Sequence, residues 1–75
     1  MIKLGDTFKA DGRTWRVYDI HLAYNYIKLK TNEDEFIALY TDTKKVSTWL
    51  DDGTNRYLSF AEIKMIAEII DRVTS

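Results

Sequence analysis

The sequence predicts an α+β domain: a curled antiparallel meander of four to five strands with one C-terminal amphipathic helix packed on one face. Two observations carry this reading. Up to Leu50 apolar residues alternate with polar ones in short runs broken by turn residues, and from Ser59 onward the period changes from two to 3.6. The 75 residues leave room for one domain, with strands over about 7–50 and the helix over about 59–73. There is no proline and no cysteine, so apolar burial rather than a disulfide has to hold the fold.

Asp11-Gly12 sits between Thr7–Ala10 and Thr14–Ile20 and predicts a hairpin, because a two-residue turn needs positive φ, which glycine adopts without a Cβ clash. A third strand fits Tyr26 to Thr31, where Ile27 and Leu29 alternate with Lys28 and Lys30. The acidic turn Asn32-Glu33-Asp34-Glu35 ends it, and a fourth strand runs from Phe36 to Thr41. Asp42-Thr43-Lys44-Lys45 makes the next turn, before a fifth strand at Val46 to Leu50. Turns this short make successive strands antiparallel neighbours. His21 to Asn25 fits a strand continuation, a bulge or a loop.

Ser59-Phe60-Ala61-Glu62 has the form of a capping box and sets the helix start. Ile63, Ile66, Ala67, Ile70 and Val73 share a face that would meet the sheet, with Lys64, Glu68, Asp71 and Arg72 opposite. The apolar arc, from Met65 and Ile69 round to Phe60, spans roughly 220°, wider than one sheet contact needs. Met65 and Ile69 are therefore expected at its margin, as a self-association surface for a homodimer.

The chemistry-bearing residues are sparse. His21 is the one histidine, and no nucleophile motif surrounds it. Asp51-Asp52 and Glu33-Asp34-Glu35 fall in turns, where carboxylates serve the backbone and are cheaply solvated. Asp51 to Asn55 lacks the calcium-loop pattern, and no phosphate-binding glycine motif occurs. The expectation is no enzyme, no cofactor and no metal. Without an apolar leader at Met1–Asp6 or a run of about 18 apolar residues, a cytoplasmic location and no membrane contact are expected.

The alternates of the core-facing strand residues are Tyr26, Lys28, Lys30, Phe36, Ala38, Tyr40, Ser47 and Trp49, joined by Arg16 and Tyr18. One helix covers one sheet face, so these aromatics either line a closed barrel or face a partner. Net charge is −1, but residues 1–31 carry +3 and residues 32–75 carry −4. The first expectation is a small binding module acting through protein-protein contact. Seven Lys against four Arg and eight Ile against five Ala suggest an accessory or inhibitory protein of phage or mobile-element origin, on compositional habit alone. The alternative is a single-stranded nucleic-acid binder using Arg16, Tyr18, Tyr26, Lys28, Lys30, Tyr40 and Trp49, since aromatics interleaved with basic residues stack bases and hold phosphates.

Overall fold

A computed structural model describes residues 2–21, 23, 25–43, 45–50 and 52–74, without the side chains of Trp49 and Thr74. Its strands are β1 (Thr7–Ala10), β2 (Arg13–His21), β3 (Tyr26–Lys30), β4 (Glu35–Tyr40) and β5 (Val46–Leu50), followed by helix α1 (Phe60–Thr74). The five strands form one antiparallel sheet in chain order, and the sheet does not close into a barrel. Asp11 and Gly12 take φ of 54° and 75°, the pair of positive values a tight hairpin turn requires, and Ala10 then pairs with Arg13.

Alternation sends one row of side chains inward. Phe8, Trp15, Val17, Ile27, Leu29, Ile37 and Leu39 from the sheet share a buried cluster with Ile2 and with Met65, Ile66, Ile69 and Ile70 of α1. The helix thus covers the inner sheet face.

The face by which α1 docks differs from the sequence expectation. Met65 and Ile69 are buried, not marginal, while Ile63 is 52% exposed and Ala67 also faces solvent. The self-association surface expected at Met65 and Ile69 is therefore absent: both lie inside the core of their own chain. Glu62 is the reason. At 100° per residue it lies within about 20° of both Ile69 and Val73, so it stands in the middle of the face that docks. It is 0% exposed.

A carboxylate so placed needs a partner, because desolvating an unpaired charge costs several kcal/mol. Arg56 supplies it as a fork, Nη1 to Glu62 Oε1 at 2.9 Å and Nη2 to Oε2 at 2.6 Å. The same guanidinium donates through Nε to Glu35 Oε2 at 2.8 Å, and Arg13 Nε donates to Glu35 Oε1 at 2.8 Å. Glu35, read from sequence as part of a solvated turn, is instead the buried first residue of β4. Glu35 and Glu62 are thereby bridged, and the bridge fixes the rotation of α1 over the sheet. The Arg56 hydrogen bonds hold the Glu62 carboxyl down at about 2 against an ordinary 4.5, and Glu62 in turn raises Arg56.

The capping box forms as expected: Glu62 N donates to Ser59 Oγ at 3.2 Å and Ser59 N to Glu62 Oε1 at 2.9 Å. Ser59→Ala is expected to cost about 0.5–2 kcal/mol in urea unfolding, since a first-turn amide loses its acceptor. An unchanged midpoint would mean that Arg56 alone holds the helix start.

Candidate functional site on the outer sheet face

The outer row is built by the parity the core leaves over. Trp15 and Val17 are inward, yet so is Ile20, which pairs with the core residue Ile27. Strict alternation cannot place 17 and 20 on one face, and a bulge resolves it: Val17 pairs with Leu29 and Asp19 with Lys28, leaving Tyr18 as the extra residue. Tyr18 and Asp19 both join the outer face. Beyond the bulge the ladder continues to His21, opposite Tyr26.

Three cross-strand rows result. One holds His21, Tyr26 and Tyr40; the next holds Asp19, Lys28, Ala38 and Ser47; the third holds Arg16, Lys30, Phe36 and the Trp49 position. Successive rows lie about 7 Å apart, the length of two strand residues. The Trp49 side chain, one of the expected binding groups, lies outside the described residues, and so does Asp51.

In the first row the His21 and Tyr26 rings stack at 4.7 Å with 23° between their planes, and Tyr26 lies 6.0 Å from Tyr40. Tyr40 is 41% exposed. At the other end Tyr18 meets Phe36 edge-on at 6.2 Å. Lys28 Nζ stands 5.6 Å from the Tyr26 centroid and Lys30 Nζ 5.3 Å from that of Tyr18. Such contacts at a wet surface are worth about 0.5–1 kcal/mol each, enough to bias the lysines over the rings and too little to lock them there. Ala38 is a low, buried floor between these aromatic ends.

The electrostatics are one-sided. Outward register positions carry Lys9, Arg16, Lys28 and Lys30 against a single carboxylate, Asp19, whose Oδ1 lies 2.9 Å from His21 Nε2. The acidic surplus sits elsewhere, in the turns and on α1. Burial raises the Tyr18 hydroxyl above its usual value, with Lys28 pulling the other way. The face presents ring surfaces and ammonium groups side by side.

Sequence reading placed Arg16, Tyr18, Tyr26, Lys28, Lys30 and Tyr40 together, and the structure brings all six onto one face. It missed the stacking of His21 on Tyr26. The signal was available in the apolar spacing 15, 17, 20, whose change of parity within one strand requires a bulge and sends His21 outward.

Among the described residues the turn carboxylates gather at no one place. Glu33 and Asp34 are exposed, and Asp52 accepts from the amide and hydroxyl of Thr54 at 3.0 and 2.7 Å, which lowers its pKa. A hollow of about 410 Å³ lies between the Asp11–Arg13 turn and Thr31–Glu35, but Glu35 on its wall is already held by two guanidinium groups. Among the described residues no group of acids and histidine is arranged to hold a metal, and no helix is long and apolar enough to cross a membrane. Comparison with known proteins matches this chain to no family model, no curated protein and no solved structure.

Proposed function

We propose that the protein is a non-catalytic binding module that takes single-stranded nucleic acid on its outer sheet face. The observation that carries this is the pair of lysines poised over tyrosine rings, Lys28 at Tyr26 and Lys30 at Tyr18, on an open sheet. A base stacks on a ring by displacing the ammonium group to the neighbouring phosphate, so the ligand satisfies ring and cation together. Lysine is depleted at protein-protein interfaces, which favours a polyanion over a protein on this face. Arg16 extends the basic edge beside Lys30, its partner in the ladder. A ligand of this kind is in keeping with the cytoplasmic location expected from the sequence. Protein contact, the first expectation from the sequence, belongs to a different surface, the solvent side of α1.

The test is fluorescence anisotropy with a labelled mixed-sequence single-stranded oligonucleotide at two salt concentrations. Three cations reaching phosphates give a log-log salt slope of about −2, at about 0.7 per contact. No binding at low salt would overturn the proposal and return the face to a protein partner.

A further inference from the structure

The half of the apolar arc that the core leaves out is ordered and unusual. Phe60 is 77% exposed and Ile63 52% exposed, and Ala67 continues their line one turn and two turns along α1. Two exposed charges flank this stripe on one side, Lys64 near its start and Asp71 seven residues on. Neither is in an ion pair of its own chain among the described residues. The other flank is apolar and carries the exposed Ile63, beyond which Ile70 is already taken into the core.

We propose that α1 pairs with α1 of a second copy, antiparallel, about a two-fold axis near Ala67. An antiparallel pair lays each flank of a helix on the same flank of its partner, so Lys64 meets the partner's Asp71 on one flank, twice by symmetry, while on the other Ile63 packs across the crossing beside the partner's Ala67. A parallel pair would lay the charged flank on the apolar one and leave both charges unanswered. The charge order therefore selects both the occupant and its direction. Ala67 at the crossing lets the two backbones approach closely, and Phe60 covers the last turn of the facing helix. The outer sheet faces lie on the far side of each copy from this contact, so the pair carries two ligand faces directed away from each other. This pairing does not depend on what those faces bind.

Sedimentation equilibrium over a concentration series reaching about 1 mM, which populates even a weak dimer, tests it. The native chain is expected to reach the mass of two copies. Ile63→Glu, and independently Phe60→Ser, should raise the dissociation constant at least about tenfold while melting as the native protein does, because both positions are solvent-facing in one copy. Lys64→Asp should weaken the pair similarly by setting carboxylate against carboxylate, and adding Asp71→Lys should restore it. A monomer mass at every concentration would overturn the proposal. So would a Lys64→Asp chain that associates like the native one, or a double variant that melts normally and stays monomeric.

Discussion

Arg56→Ala is expected to destabilise the fold by about 3–5 kcal/mol, the cost of leaving the buried Glu62 carboxylate without its counter-ion while Glu35 keeps only Arg13. Glu62 is fully buried and Glu35 nearly so, and Arg56 touches both. A small domain has a net stability near the low end of about 5–15 kcal/mol, so the substitution should remove most of it. Arg56→Lys should recover little, since one ammonium group cannot fork onto Glu62 and still reach Glu35. Urea unfolding near neutral pH gives the number.

The pH dependence follows with a definite sign. Glu62 titrates at about 2 in the folded chain and near 4.5 when unfolded. Its contribution is complete above about pH 5 and is lost as pH falls toward 2, roughly 3 kcal/mol in all. In Arg56→Ala the sign reverses: the unpaired buried carboxyl takes a proton more readily folded than unfolded. The deficit of the variant should therefore shrink as the pH is lowered. A constant deficit between pH 7 and pH 3 would show that Arg56 acts through packing on Trp15, over whose ring it lies at 5.9 Å, rather than through charge.

The second large effect is expected on the outer face. Tyr26→Ala should cost about 1–3 kcal/mol of oligonucleotide affinity, five- to 150-fold, because the ring is the central stacking surface of its row. Lys28→Ala with Lys30→Ala should reduce the salt slope by about 1.4, two contacts at about 0.7 each. Because Lys28 stands over Tyr26, their losses should be less than additive when combined. Anisotropy titrations of the three variants at matched salt measure all of this. Affinity and slope equal to those of the native chain would remove the outer face from the reaction.

Strands and helix were legible because their signals are local. Asp11-Gly12, the Ile27-Leu29 alternation and the Ser59–Glu62 box each specify their own backbone, whatever the rest of the chain does. The rotation of α1 was not legible in that way. Counting apolar residues favours the half of the arc with Ile63 and Ala67, since it contains no charge. The fold buries the half interrupted by Glu62, because Arg56, in a stretch that reads as polar loop, and Glu35, at the end of an acidic turn, converge on it from elsewhere in the chain. A pairing between distant charges leaves no period in a sequence. Its one trace was a glutamate among isoleucines on a helix face. The outer-face residues were legible as alternates of the core, while the stacking of His21 depended on the parity change within β2.

That parity change has a consequence for how the chain tolerates a change of length. In a regular strand, losing one residue turns every later side chain over, and the fold is lost with it. Deleting Tyr18 does the opposite: with Val17 joined to Asp19, strict alternation puts Asp19 outward, Ile20 inward and His21 outward, as they already stand. The deletion heals the ladder instead of breaking it, and the shortened chain should still unfold cooperatively. Loss of the neighbouring Val17, which would drive the larger Tyr18 into a fully buried site, or of Leu29 across the ladder, which turns the rest of β3 over, should abolish folding. A scan of single-residue deletions along β2 and β3, read by thermal melting, should find positions 18 and 19 tolerant between intolerant Val17 and Ile20, since losing Asp19 also leaves one outward residue, Tyr18, between two inward ones. The bulge is then a spare residue held for the surface, and a lineage could discard it, and the Tyr18 ring with it, without redesigning the core.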